Sequence, residues 1–223
     1  MNIKIVFSSN IIKNKEEITK RINLAYKLVN CFFDQKIPEI DINIINSRNE
    51  FDILNGRKTY KWEVGYTFLK NNKVNIVIFN PESFEKYTTH KKDEFESILI
   101  HELTHAYTGY VLKFFYPKWL HEGLVGYLAE QYKNSNIKSE DVIELSKIHS
   151  LEDWSKTNKY SESFLFTKFL FDEFGKEKMI NFMKNLGWKI SPEDFVDSFK
   201  KYFNKDITSL FDKWVKTIDR FEL

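Results

Sequence analysis

Residues 95–110 read FESILIHELTHAYTGY, and the pentad His101-Glu102-Leu103-Thr104-His105 within it governs how the rest of the chain is read. Side chains four apart on an α-helix share a face, so His101 and His105 can aim both imidazoles at one ion. Leu99, Leu103, Ala106 and Tyr110 form an apolar stripe on the side away from the histidines. A helix with such a stripe is expected to pack into a core, where imidazoles at its margin need polar partners. Glu102 adjoins His101 but lies about a hundred degrees round the helix, beside a shared ion rather than on it.

Zn²⁺ accepts imidazole nitrogen and carboxylate oxygen, and a hydrolytic zinc site has three protein ligands plus a water. The third ligand is expected from Trp119-Leu120-His121-Glu122-Gly123, where Glu122 is framed by Trp119, Leu120, Leu124, Val125, Tyr127 and Leu128. His121 is the rival, but adjacent helical residues diverge by about a hundred degrees, so His121 and Glu122 do not serve one ion together. The pattern HExxHxxGxxH fails: Thr108 stands where its glycine belongs and Val111 where its third histidine belongs. Glu122 is therefore the expected third ligand.

HELTHAYTGY followed by WLHEGLVGYLAE, residues 119–130, resembles the gluzincin metallopeptidases, closest to the compact peptidase MA-like proteins related to aminopeptidase N. The resemblance implies Zn²⁺ held by His101, His105 and Glu122, with Glu102 as the general base that activates the zinc-bound water. The segment KYSESFLF, residues 159–166, is similar to the Tyr-containing segment that opens a later helix in that family. Carried over, Tyr160 donates its hydroxyl to the oxyanion of the tetrahedral intermediate. FDEFGKEKMINFMKNL, SPEDFVDSFKKYF and SLFDKWVKTI resemble the family's helical C-terminal region. Two features of true aminopeptidases are missing: the Gly-x-Met-Glu-Asn segment that reads a free amine, and the large N-terminal β domain. The implied substrate is a peptide or protein. The alternative is a zinc-binding regulatory or structural protein whose protease activity is lost or highly restricted.

The fold expected is α+β: a small N-terminal mixed sheet with helices, zincin-type active-site helices, and a helical C-terminal subdomain. Residues 1–133 are read as the subdomain carrying the HExxH and the third ligand, and 134–223 as the helical subdomain packing across the cleft. At 223 residues, with 42% hydrophobic and 17% aromatic residues, the chain can bury a real core, which argues against disorder. The 34 Lys and Arg against 32 Asp and Glu are interspersed without a basic run, so a nucleic-acid partner is not expected. No apolar run approaches a membrane span, and MNIKIVFSSN reads as a strand rather than a signal peptide. The expected compartment is the cytoplasm. Cys31, the single cysteine, lies in an apolar helical pattern and is expected to be a buried structural thiol.

Residues 2–8, 40–45, 64–69 and 74–79 alternate or run apolar in the manner of strands. A helix is expected from Glu16 to Phe33, closed by Pro38, and a short helix or turn from Phe51 to Gly56. By resemblance, strand 74–79 is the candidate to hold substrate through backbone pairing, against the alternative that it is an interior strand without a free edge. Ser139 is read as capping a helix to His149. Gly175 and Gly187 are read as closing the helices that begin near Ser161 and Glu177, while Ser191-Pro192 opens another. The last helix starts near Thr208. His90 and His149 are expected as solvated surface residues.

Overall fold

A computed structural model describes residues 3–8, 13–37, 39–70, 73–135, 137–142, 145, 159–188 and 190–218. The fold is α+β, with a four-stranded mixed sheet and a predominantly helical second half. Two compact units divide the chain, Met1–Tyr107 and Thr108–Leu223. Among the described residues no helix is long and apolar enough to cross a membrane.

The first unit contains the strands β1 (Ile3–Phe7), β2 (Ile40–Ile45), β3 (Gly65–Lys70) and β4 (Lys73–Phe79), in the spatial order β1-β2-β4-β3. β1, β2 and β4 are parallel, and β3 runs antiparallel to β4 with Gly65 opposite Ile78 and Thr67 opposite Ile76. Interior strand β4 carries a near-continuous apolar run, as a strand covered on both faces does, while β2 alternates isoleucine with Asp41 and Asn43. Ile40, Ile42, Ile44 and Ile45 of β2 are fully buried, as are Ile76, Ile78 and Phe79 of β4. Strand 74–79 is thus interior, hydrogen-bonded to β2 on one side and β3 on the other. Its expected role as a substrate-pairing edge does not hold; among the described residues the edge strands are β1 and β3.

Helix α1 (Lys15–Phe33) buries Ile18, Ile22, Ala25, Val29 and Phe33 along one stripe. It ends at Asp34 in the left-handed conformation, which short polar residues tolerate, so the stop precedes Pro38 (a position outside the described residues). Cys31 is exposed, correcting the expectation of a buried thiol. It stands two residues from both Val29 and Phe33, about 200° round the helix from each, and so faces solvent. Helix α2 (Arg48–Asn55) starts at Ser47, whose hydroxyl accepts from the Glu50 N–H, and closes at Gly56 with φ 70°. It lies on the sheet face that carries Tyr66 and Phe79, with Phe51 against both rings. Burial pushes the Tyr66 hydroxyl up to about 12.

Arg48 ties the segment ahead of β3 in place. Its guanidinium donates to Thr59 Oγ1, the Glu63 carbonyl and the Tyr87 carbonyl at 2.9, 2.8 and 2.7 Å, and lies over the Phe79 ring. Burial draws its pKa below the ordinary arginine value. His90 is at the surface, its side chain 31% exposed, with Nδ1 meeting Glu94 Oε2 at 2.6 Å and Nε2 meeting the Trp62 carbonyl at 3.0 Å. A short helix, α3 (Phe84–Tyr87), precedes α4 (Phe95–Tyr107), which bears the HELTH pentad. Phe95, Leu99, Leu103 and Tyr107 of α4 are fully buried.

The second unit opens with a π-helical turn, Thr108–Leu112. This change of winding brings Tyr110 to the surface at 39% exposure, where an uninterrupted helix would have kept it in the apolar stripe. Then come α5 (Lys118–Leu128), α6 (Tyr160–Phe174), α7 (Lys176–Leu186), α8 (Pro192–Phe203) and α9 (Ile207–Ile218). Gly175 and Gly187 close α6 and α7 at positive φ, and the Ser191 hydroxyl accepts from the Asp194 N–H to open α8. Phe166, Phe182, Phe195, Phe199, Phe203 and Trp214 build an aromatic core among these helices. Ser139–Asp141 is a single 3₁₀ turn followed by extended Val142; of the rest of the helix expected up to His149 only Leu145, which is buried, is among the described residues, and His149 lies outside them.

Helices α5 and α6 approach closely because glycine lines the contact. A Cβ at Gly126 would stand 2.0 Å from Phe164 Cδ1, and one at Gly123 would stand 1.9 Å from Thr167 Oγ1 and 2.7 Å from the Ser163 carbonyl. Gly126→Ala forces the Phe164 ring out of place, an overpacking cost of about 3 kcal/mol. For a chain of this size that lowers Tm by roughly 6–12 °C. Thermal unfolding followed by circular dichroism measures this, and an unchanged Tm would show that the contact is looser than described.

Candidate metal centre

Helix α4 is sunk along one side and half open along the other. Leu99, Leu103 and Ala106 are buried, while His101 and His105 are half-buried on the opposite face. Their Nε2 atoms stand 3.1 Å apart with the ring planes at 80°. A neutral imidazole has one donor and one acceptor nitrogen, so two rings meeting at this distance share either a proton or a cation. Zinc–nitrogen bonds of about 2.0–2.1 Å at tetrahedral angles place two ligand atoms about 3.4 Å apart, close to the separation seen here.

Glu122, on the first turns of α5, is 4% exposed. One ligand atom from each of His101, His105 and Glu122 lies within 4.8 Å of the others. The structure therefore brings together the three residues expected from the sequence in a group that can hold a metal ion. Two imidazoles and one carboxylate fit Zn²⁺ by donor type, while the same donors also bind other first-row divalent ions.

His121 is not in this group. It is 2% exposed, its Nε2 is 2.8 Å from Thr108 Oγ1, and its ring lies 5.1 Å from that of Phe115. The neighbouring histidine is thus a packed structural residue, held by the π-helical turn. Lys118, one helical turn before Glu122, contacts the Glu122 carboxylate through Nζ and lies 3.4 Å from His121 Nδ1. Spacing alone could have found Lys118, because i, i+4 pairs on a helix meet.

Glu102 is 6% exposed, as its position beside the stripe requires. Its carboxylate is met by residues that the sequence reading passed over. Thr67 Oγ1 lies 2.7 Å from Glu102 Oε2 and 2.9 Å from the Glu102 carbonyl oxygen, two acceptors that share its single proton. Gly65 stands beside the same side chain. No local spacing links residue 67 to residue 102; only the packing of β3 against α4 does. Tyr160 is the first residue of α6, with its ring 5.9 Å from that of Phe164, the residue that packs on Gly126 of α5.

Comparison with known protein families finds no matching family, and comparison with curated proteins finds no match either. The case for this centre therefore rests on its own residues.

Titrated with Zn²⁺ after purification without a histidine tag, the protein takes up one equivalent. His105→Ala and Glu122→Ala each weaken that binding more than about tenfold, whereas His121→Asn keeps the affinity and loses stability. Isothermal calorimetry with elemental analysis checks this; undiminished affinity in Glu122→Ala would remove it from the ligand set.

Proposed function

We propose that the protein is a zinc-dependent metallopeptidase of the gluzincin kind, hydrolysing peptide bonds in peptide or protein substrates. One observation carries the reading: His101, His105 and Glu122 offer converging donors, and a buried carboxylate that is not among them, Glu102, sits next to His101 on the same helix. A site that served only stability would need the three ligands and no adjacent base.

Zn²⁺, when bound, acidifies water towards neutral pH and polarises a carbonyl oxygen. The remaining work falls to the chain. His101, His105 and Glu122 hold the ion, and Lys118 steadies the Glu122 carboxylate. Glu102 takes the proton from the attacking water and passes it to the departing amine nitrogen, so the peptide C–N bond breaks as the proton arrives. Tyr160 donates its phenolic hydrogen to the oxygen that gains charge as the carbonyl becomes tetrahedral. The edge strand β3 offers backbone groups to an extended substrate, a mode of holding that is indifferent to side-chain identity.

Glu102→Gln keeps the carboxylate's shape but cannot accept the proton. It binds zinc as the unaltered protein does, and turnover of quenched fluorescent peptides falls by about a hundredfold to ten-thousandfold. Chelator abolishes the activity and zinc restores it. A peptide panel that the zinc-loaded protein leaves uncut would favour a zinc-binding regulatory or structural role instead. Tyr160→Phe lowers kcat more than it raises KM, since its hydrogen bond strengthens in the transition state; an unchanged kcat would take Tyr160 out of the reaction.

A further inference from the structure

Gly65 and Thr67 are two apart on β3 and therefore share one face of the strand. That face meets the side chain of Glu102. Thr67 Oγ1 is 2.7 Å from Glu102 Oε2, and a Cβ on residue 65 would lie 3.0 Å from Glu102 Cγ and 3.1 Å from Oε1. We infer that Thr67 and Gly65 are positioning residues for Glu102: the hydroxyl fixes one carboxylate oxygen, and the absent side chain leaves the space in which the other lies. This rests on Glu102 being the general base.

A hydroxyl has a single proton to give. Directed at Oε2 at 2.7 Å, it orients the plane of the carboxylate. A glutamate side chain has three rotatable bonds, and a base that wanders through its rotamers spends little time in line with the water it must deprotonate. The main-chain oxygen of Glu102, 2.9 Å from the same hydroxyl, is the second acceptor of that proton and ties the hydroxyl to α4. The carboxylate is thereby referenced to the helix that presents His101 and His105. Gly65, on the same strand face, stands against Cγ and Oε1. A methyl group there would press on Cγ and Oε1 at distances that oblige Glu102 to move.

The test uses the zinc-loaded full-length protein. Thr67→Val replaces the hydroxyl with a methyl of similar size, and lowers kcat by about tenfold to a hundredfold at nearly constant KM. Thr67→Ser keeps the hydroxyl and restores kcat to within about threefold, with zinc content unchanged in both. Equal loss in the two variants, or none in Thr67→Val, would overturn the inference, since packing alone would then account for the residue. Should Thr67→Val fail to fold, Gly65→Ala takes its place, and its full kcat would count against the inference. If the unaltered protein cleaves no peptide, the proposed function fails on its own. The positioning claim is then decided by crystal structures: Glu102 displaced in Thr67→Val supports it, and Glu102 unmoved refutes it.

Discussion

Two imidazole nitrogens held 3.1 Å apart by one helix, whose other side is buried, set the terms for the surrounding structure. Bringing rings this close requires a helical rise of one turn and an orientation fixed by packing. The stripe Leu99, Leu103 and Ala106 supplies the orientation, because turning the histidines inward would drag those side chains into water. The isoleucines of β2 and β4 give the first unit an apolar sheet core, and β3 carries the two residues that meet Glu102.

The opposite style of control operates around Glu122. Here the sequence places glycine at 123 and 126, and the consequence is a close approach of α5 and α6. Glu122 thus sits on a helix whose position is set by contact with its neighbour's backbone and rings rather than by long flexible side chains. His121 shows how little adjacency means on a helix. One residue from the ligand, it turns to the π-helical turn and Phe115, and contributes packing instead of chemistry.

Periodicity was enough to read the four strands and most of the helix starts and stops, because caps such as Ser191 and Gly175 act through local hydrogen bonds and backbone freedom. The His101, His105, Glu122 group was legible for a related reason: two members share one helix, and the third has its own apolar frame. What could not be read depends on distant chain segments. The edge position of β3 and the interior position of β4 follow from sheet order, which no spacing reveals. Thr67 reaches Glu102 across thirty-five positions. Cys31 reads as buried because its sequence neighbours are apolar, while its own angle on α1 points outward. Tyr110 left the apolar stripe because the winding changes at Thr108.

X-ray absorption at the zinc edge, on protein loaded with one equivalent of metal, addresses the central claim most directly. Two imidazole nitrogens and carboxylate oxygen at about 2.0–2.2 Å, with no sulfur shell and one position left for water, is the expected spectrum. A shell lacking the histidine scattering pattern, or one that stays the same when Glu122 is replaced by alanine, would contradict it.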